Sequence, residues 1–317
     1  MNKKLISLIA GVALVAAATG CSQTATSSVA GTDSSAAGTS SGASSTATEE
    51  LSGTLSMNGS TSMEKVIKAV NGAFMEKNKG VTVNLNLTGS GTGIQEASEG
   101  KCDIGNSSRK LKDEEAEKLD ATVVGLDGIA LVVNPANKLE DITLEDLAKV
   151  YSGEITNWKE LGGDDKSIVV IGREDGSGTR DGFESIVMGD KEPKYAQELE
   201  STGSVINAVA TTDGAIGYAS LANVDETVKA LKIGGVEASE ENINNGSYTL
   251  SRPFNIVTKD GISDVAQDFI NYIMSEDGQK IISANKYIEV ANSGAFTSTN
   301  PKGKICLLYT SPSPRDK

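Results

Sequence analysis

Histidine is absent from the 317 residues, and aromatic residues make up only 4% of them. Without histidine the chain lacks the commonest general base and the commonest metal ligand, so we expect no metal and no cofactor. Positive charge is also scarce, because the formal net charge is −14 at pH 7. Such a chain has no basic surface to displace the counterions of nucleic acid, so we expect no nucleic-acid partner. The 34 glycines favour an α/β protein with many tight turns over an all-β sandwich.

The start of the chain predicts a processing signal. Two lysines precede an apolar run at residues 5–18, which is too short to span a bilayer as a finished helix. The run ends in Ala18-Thr19-Gly20-Cys21, which resembles the lipobox of bacterial lipoproteins. The resemblance implies that residues 1–20 are removed and that Cys21 carries a lipid anchor on the extracellular face of the cell membrane. The alternative is an ordinary secretory signal followed by a chance cysteine.

The segment that follows has little apolar character. Residues 21–50 consist almost entirely of Ser, Thr, Ala and Gly after the cysteine. This composition cannot bury enough apolar surface to offset the entropy lost on ordering. We therefore expect a flexible tether between the lipidated Cys21 and a folded body, with more than one acyl chain for stable anchoring.

The other end of the sequence has an artificial character. Residues 306–316 resemble the translation of a transposon adapter used in short-read sequencing libraries. We interpret residues 305–317 as adapter read-through, with native sequence stopping at Lys304 or Ile305. The alternative is a genuine polar tail, and the genomic locus would distinguish the two.

Cysteine is scarce, with three residues in all. Cys21 is assigned to the lipid and Cys306 to the read-through, which leaves Cys102 alone. A single cysteine allows no disulfide framework. We expect Cys102 to be a small buried residue.

From Leu51 onward, strand patterns alternate with helix patterns. Apolar residues at helical spacing between Met63 and Phe74 predict an amphipathic helix. Repeated strand, turn and helix imply an α/β fold with parallel strand pairing and helices on the sheet faces. The predicted strands are Leu51–Met57, Val81–Leu87, Asp103–Asn106, Gly128–Asn134, Ile168–Ile171, Ala215–Ala219 and Arg252–Thr258, and the further helices are residues 94–99, Lys112–Leu119, Leu144–Tyr151 and Val265–Ile273.

The pattern predicts two similar α/β halves joined by more than one crossing segment. Lobe 1 comprises residues 51–134 and 252–304, and lobe 2 comprises residues 135–251. This layout is typical of a hinged, two-lobed protein. The hinge candidates are the strands near Gly128–Pro135 and Arg252–Thr258.

Several strand-to-helix turns are rich in Ser, Thr and Gly. They lie at Asn58–Ser62, Gly89–Gly93, Ser107–Arg109 and Arg173–Arg180. A helix N-terminus exposes unpaired N–H donors, Gly lets the backbone approach a ligand, and Ser and Thr add hydroxyl donors. N-capping is the simpler explanation for any single turn. Their repetition in both halves, with Arg173 beside the densest cluster, favours an oxyanion site without a metal.

The same turns lack the motifs of enzymes. Gly89–Gly93 lacks the spacing of a dinucleotide fingerprint, and Gly172–Thr179 lacks the Gly-Lys-Ser/Thr end of a nucleotide-binding loop. No Gly-x-Ser-x-Gly elbow can be combined with a histidine in this chain. We therefore predict a binding protein, not an enzyme, and we expect the single Trp158 to pack rather than to contact ligand.

From about Leu51 to Thr299 the chain resembles the phosphate-binding component of the phosphate-specific ABC transporter. The stretches that carry the resemblance are Asn58–Ser62, Gly89–Gly93, Asp103–Arg109, Leu144–Lys159 (which contains Tyr151–Trp158), Arg173–Thr179 and Gly214–Tyr218. It implies a two-lobed periplasmic-binding-protein-like fold (type II), hinged, with the ligand in the cleft between the lobes. It also implies a monomer that captures inorganic phosphate outside the cell with high affinity and delivers it to the permease and ATPase subunits of an ABC importer.

The resemblance further implies which residues bind phosphate. It gives Asp175 the role of orienting Arg173, and it aligns Ser108 with an Asp that accepts the proton of bound phosphate in some family members. A neutral Ser would reject sulfate less strongly than a carboxylate, and Arg109 beside it would add a second positive contact. The implied phosphate-binding residues are Thr61, Ser62, Ser90, Ser108, Arg109, Arg173, Asp175, Ser177, Gly178 and Thr179.

Three alternatives stay open on the sequence alone. The ligand could be another tetrahedral oxyanion such as sulfate or molybdate, although Arg173 favours phosphate because neutral donors alone can hold fully charged sulfate. A phosphatase with Ser177 or Thr179 as nucleophile would lack an evident base or metal cluster. A surface adhesin on the same fold would have lost ligand binding.

Overall fold

A mixed sheet of 11 strands carries the part of the chain that the computed structural model describes, residues 50–290. The strands are β1 (Ser52–Gly59), β2 (Gly80–Leu85), β3 (Ile104–Ser107), β4 (Leu119–Val133), β5 (Asp141–Ile142), β6 (Val169–Arg173), β7 (Gln197–Leu199), β8 (Ala215–Ser220), β9 (Lys229–Ile233), β10 (Ser251–Lys259) and β11 (Ile288–Glu289). The helices are α1 (Glu64–Lys77), α2 (Ser90–Glu99), α3 (Asp113–Ala116), α4 (Leu144–Tyr151), α5 (Gly178–Val187), α6 (Thr202–Thr211), α7 (Glu240–Asn244), α8 (Asp264–Met274) and α9 (Glu276–Ala284). This alternation confirms the α/β class.

The main path through the sheet runs β2-β1-β3-β10-β4-β8-β6-β7. β1 is parallel to β2 and β3, and β6 is parallel to β7 and β8. β10 is antiparallel to β3 and β4, and β4 is antiparallel to β8. The predicted parallel pairing is therefore right at both ends of this path. It is wrong in the middle, where β10 returns from late in the chain against the direction of its neighbours.

β4 differs most from the sequence prediction. It begins at Leu119 rather than at Gly128, and the helix predicted over Lys112–Leu119 is reduced to the single turn of α3. β4 pairs with β10 over its first ten residues and with β8 over Ile129–Val133. β4 also pairs with β9 and β11, and pairing with these four strands outweighs the local helical preference of the charged residues that precede it.

One group of buried side chains lies under β1, β3 and β10. It includes Ile67 and Phe74 of α1, which follow the predicted helical spacing, together with Phe254 and Phe269. The rings of Phe74 and Phe269 meet edge to face with their centroids 5.3 Å apart. This packing holds α1 and α8 against the sheet.

A second group of buried side chains surrounds β6 and β8. The rings of Phe183 and Tyr218 stack with their centroids 4.3 Å apart, and Tyr151 packs beside both. Trp158 is buried, and its Nε1 donates a 2.9 Å hydrogen bond to the carbonyl of Gly214. The prediction that Trp158 packs is therefore confirmed.

The described residues belong to one compact unit, and the division into lobes 1 and 2 stays a prediction. Cys102 is buried, as predicted. The predicted signal peptide, the tether with Cys21 and the read-through at residues 305–317 lie outside the described residues. Within residues 50–290, no helix is both long enough and apolar enough to cross a membrane.

Candidate functional site

Side chains from several strand-to-helix junctions meet beside the middle of the sheet. β1 ends at Gly59 and a short 3-10 turn, Thr61–Met63, leads into α1. Ser90 is the first residue of α2, Thr179 the second of α5, and Thr202 the first of α6. We call the buried hydroxyls that meet here the hydroxyl cluster, which consists of Ser60, Thr61, Ser62, Ser90, Ser108, Thr179 and Thr202.

One side of the hydroxyl cluster joins the start of α1 to α5 and α6. Ser62 Oγ lies 2.7 Å from Thr179 Oγ1 and 3.1 Å from Thr202 Oγ1. Thr61 Oγ1 accepts a 3.2 Å hydrogen bond from the backbone N–H of Thr202. Hydroxyls from three distant parts of the chain are therefore joined by hydrogen bonds, next to helix N-termini that favour an anion.

The other side of the hydroxyl cluster is centred on Ser108, in the loop after β3. Ser108 Oγ accepts a 2.8 Å hydrogen bond from Ser60 Oγ and lies 3.2 Å from Ser90 Oγ. The backbone N–H of Ser108 donates to Ser90 Oγ at 3.0 Å. Gly178 completes this side, because a Cβ at that position would lie only 2.4 Å from Ser90 Oγ and 2.7 Å from Ser108 Oγ. The backbone of α5 approaches the hydroxyls this closely only because residue 178 is glycine.

Arg173, the last residue of β6, brings a buried positive charge to the hydroxyl cluster. Only 2% of the residue is exposed, and Nη1 lies 3.4 Å from Thr202 Oγ1. Its Nε donates to the carbonyl of Leu199 at 3.0 Å, and its Nη2 donates to that of Glu200 at 2.7 Å. Burial lowers the pKa of Arg173 to about 10, so the guanidinium stays charged at neutral pH.

A second arginine, Arg252 at the start of β10, reaches the cluster from the opposite side. Its Nη1 donates to Ser108 Oγ at 3.3 Å, and its Nη2 donates to Asp127 Oδ2 at 2.9 Å. The side chains of this ion pair are 2% and 0% exposed. Burial raises the pKa of Asp127 to about 6, and the neighbouring Arg252 limits the rise. With Arg173 included, these three buried groups carry one excess positive charge, which suits an anion.

Five of the residues predicted to bind phosphate supply hydroxyls to the cluster, namely Thr61, Ser62, Ser90, Ser108 and Thr179. Gly178 and Arg173 contact the cluster directly. Ser177 is buried, but its hydroxyl caps α5 by accepting from the backbone N–H of Arg180. The capping explanation therefore holds for Ser177, and its role in binding stays a prediction.

The structure gives Asp175 a different partner from the expected one. Asp175 is 94% exposed, and its carboxylate lies 3.1 Å from Arg180 Nη1. The expected orientation of Arg173 by Asp175 is therefore corrected, because two backbone carbonyls and Thr202 hold the Arg173 guanidinium instead. Asp175 lies in the turn between β6 and α5, from which its side chain points to solvent.

Arg109 is engaged by carboxylates next to the cluster. Its Nη1 lies 2.7 Å from Glu115 Oε2, its Nη2 lies 2.8 Å from Glu115 Oε1, and its Nε lies 2.8 Å from Asp181 Oδ2. These contacts tie the loop after β3 to α3 and α5. The predicted contact between Arg109 and the ligand stays a prediction.

Sequence reasoning missed Ser60, Thr202, Asp127 and Arg252. Asp127 and Arg252 lie at the edges of the predicted strands, where the sequence does not show that they are buried; once buried, a charged residue must be paired or functional. Thr202 carried no usable signal, because a Thr at the start of a helix is an ordinary capping residue. Among residues 50–290 no group of three or more His, Cys, Asp or Glu side chains could hold a metal ion.

Comparison with known proteins first defines the class. A family model described as the PBP superfamily domain matches residues 31–277. The mixed α/β sheet is that of a binding protein with the type II PBP fold.

The relatives define the particular family. The phosphate-binding protein PstS of Bacillus subtilis (strain 168) is 36% identical over 261 residues, which cover 80% of this chain and 86% of that protein. A structure from Clostridium perfringens, described as a phosphate ABC transporter substrate-binding protein with bound phosphate, has a TM-score of 0.73 and 42% identity. It covers 75% of this chain and 100% of its own. An ABC-type phosphate transport receptor from Vibrio cholerae has a TM-score of 0.62 and 33% identity, covering 74% of this chain and 99% of its own. This chain therefore belongs to the PstS family of phosphate-binding proteins.

Proposed function

We propose that this chain captures inorganic phosphate at the hydroxyl cluster and delivers it to an ABC importer. The observation that carries the proposal is the convergence of buried hydroxyls, helix N-termini and two buried arginines on one point of the sheet. A tetrahedral anion with four oxygens can accept from many of these donors at once. The relatives support the same function, because one is named a phosphate-binding protein, another contains bound phosphate, and a third is described as a phosphate transport receptor.

The number of donors is sufficient for tight binding. A hydrogen bond to a charged partner contributes roughly 1.5–3 kcal/mol, and micromolar affinity requires about 8 kcal/mol. The cluster offers seven hydroxyls in addition to the two guanidiniums. Several charge-assisted bonds can therefore offset the costs of desolvation and of ordering the site.

The location and partners follow from the same proposal. Cys21 carries the lipid that holds the protein on the outer face of the cell membrane, and residues 21–50 let the binding domain reach the importer. The partners are the permease and ATPase subunits of a phosphate importer, and the protein acts as a monomer without turning over its ligand. The hinge strands would allow the two predicted lobes to close over the anion.

Isothermal titration of the full chain with inorganic phosphate, and separately with sulfate, tests the proposal. We expect phosphate to bind with a Kd of about 1 μM or lower. Arg173→Ala should weaken phosphate binding by at least about tenfold, because it removes a buried charged donor. Incubation with p-nitrophenyl phosphate should yield no sustained turnover. Absence of phosphate binding, or steady hydrolysis of the ester, would contradict the proposed function.

A further inference from the structure

Arg252 is held in place by an acid that takes no direct part in the hydroxyl cluster. Asp127 Oδ2 accepts from Arg252 Nη2 at 2.9 Å and from Nε at 3.3 Å. The other oxygen, Oδ1, accepts a 2.9 Å hydrogen bond from Ser220 Oγ. Both partners of this ion pair are buried, so the position of the Arg252 guanidinium is fixed by contacts on β4 and β8.

The fixed guanidinium determines what the Ser108 hydroxyl can do. A hydroxyl has one donor hydrogen and two acceptor lone pairs. Ser108 Oγ receives hydrogen bonds from Arg252 Nη1 at 3.3 Å and from Ser60 Oγ at 2.8 Å. With both lone pairs engaged, the remaining role of the hydroxyl is to donate its hydrogen to Ser90 Oγ, 3.2 Å away, or to a bound anion.

We propose that Arg252 is a specificity-determining residue that fixes the Ser108 hydroxyl as a hydrogen-bond donor toward the bound oxyanion. The inference rests on the proposed phosphate site and adds to it which protonation state of the bound anion Ser108 favours. A phosphate oxygen that carries a proton finds no acceptor in Ser108 while Arg252 is in place. An unprotonated oxygen finds a donor there. Ser108 therefore favours an unprotonated ligand oxygen. A carboxylate at this position would have the opposite preference, because it accepts the ligand proton and repels an unprotonated anion.

The buried guanidiniums of Arg173 and Arg252 also favour an unprotonated anion. The pKa of Arg173 is lowered mainly by burial and further by the positive charge of Arg252, which indicates that the two guanidiniums lie within electrostatic reach of each other. Two cations with one counter-charge from Asp127 favour the most highly charged form of the ligand. Arg252 thus contributes to affinity through its charge and to selectivity through Ser108.

Substitutions separate these two contributions. Arg252→Lys keeps the charge and the partner of Asp127, but an ammonium lacks the planar fork that reaches both Asp127 and Ser108. Arg252→Met combined with Asp127→Asn removes the pair without leaving a buried unpaired charge. Ser108→Ala removes the hydroxyl on which Arg252 acts. Arg180→Lys is the matched control, because its guanidinium binds carboxylates of α5 and β7 and the backbone carbonyl of Arg173 rather than a hydroxyl of the cluster.

The readout is the ratio of phosphate affinity to sulfate affinity, from titration of the full chain with each anion at neutral pH. Phosphate carries at least one proton under these conditions and sulfate carries none. Freeing a lone pair of Ser108 lets it accept that proton, so Arg252→Lys should raise the ratio by about two- to tenfold. The double variant should also raise the ratio, while its affinity for each of the two anions falls by about tenfold or more. Arg180→Lys should leave the ratio unchanged.

A double-mutant cycle tests whether Arg252 acts through Ser108. In the Ser108→Ala background, Arg252→Lys should no longer change the ratio, because the hydroxyl is gone. Two results would overturn the proposal and leave Arg252 a structural residue. One is an equal loss of affinity for both anions in Arg252→Lys, and the other is the same change in the affinity ratio with Ser108 and with Ser108→Ala. Either result would leave the proposed function intact, since the unchanged chain would still bind phosphate. If the unchanged chain bound neither anion, the proposed function and this inference would both be overturned. Thermal melting of each variant identifies any that fail to fold, and the single substitutions then decide the outcome.

Discussion

A single methyl group at residue 178 should block the site without disturbing the fold. Gly178 is the first residue of α5, and its φ lies outside the left-handed region, so alanine is compatible with the backbone there. The added Cβ would lie 2.4 Å from Ser90 Oγ and 2.7 Å from Ser108 Oγ. Both distances are well below van der Waals contact. Either the start of α5 or the two hydroxyls must move, and both belong to the proposed phosphate site.

The size of the effect follows from the packing. The strain of the extra carbon falls on the folded chain whether or not phosphate is bound and costs about 1–3 kcal/mol of stability. Each hydroxyl displaced from the anion costs in addition about 1.5–3 kcal/mol of binding, an affinity loss of roughly 10- to 150-fold. Replacing glycine by alanine in a helix stabilises the folded chain by about 0.5–1 kcal/mol. Gly178→Ala should therefore weaken phosphate binding strongly while the melting temperature without phosphate changes by only a few degrees.

Gly203→Ala provides the matched control. Gly203 is the second residue of α6, next to Thr202 of the hydroxyl cluster, and a Cβ there would meet nothing within 4 Å. Titration calorimetry of both variants with inorganic phosphate, with thermal melting alongside, makes the comparison. Gly203→Ala should bind as the unchanged chain does. If Gly178→Ala bound phosphate within about twofold of the unchanged chain, the packing argument would be refuted.

Further predictions concern reactivity, dissociation and stability. Burial raises the pKa of the Cys102 thiol from 9.0 to about 11, so its thiolate fraction is about a hundredfold smaller and iodoacetamide should label it only after denaturation, as peptide mapping would show. Asp181→Asn removes the ionic partner of Arg109 between α5 and the loop after β3, and it should speed phosphate dissociation in stopped flow by up to about fivefold. An unchanged dissociation rate would show that the contact between Arg109 and Asp181 does not slow the release of phosphate. Trp158→Phe loses the hydrogen bond to Gly214, and it should lower the free energy of unfolding in urea by about 1–3 kcal/mol while phosphate affinity stays constant.

Features that depend on neighbours in sequence were predictable. The spacing of Ile67 and Phe74 predicted α1, and residues 144–151 were assigned to α4 with the bounds that the structure has. The Ser-, Thr- and Gly-rich turns identified most of the hydroxyl cluster, because such turns at helix starts obey local capping and donor rules. Local patterning therefore gave the α/β class and the majority of the candidate site.

Features that depend on distant partners were not predictable in the same way. Arg252 and Asp127 are 125 positions apart, and nothing local to either one indicates which residue pairs with it. The reversed direction of β10 and the full length of β4 also depend on pairing between distant segments. Asp175 was assigned to Arg173 on resemblance, whereas the turn that carries it directs it to Arg180. The errors therefore concentrate where tertiary contacts decide between locally acceptable alternatives.

The acidic net charge and the proposed anion site are compatible because they act over different distances. Most carboxylates of the described residues are solvated, and at physiological salt a surface charge is screened within about 8 Å. Arg173 and Arg252 are buried, so their charges act on a ligand through a less polarisable medium with little screening. A net charge of −14 therefore excludes a polyanion that must contact an extended surface. It does not exclude a small anion that needs only one buried point where donors and two guanidiniums outweigh a single carboxylate.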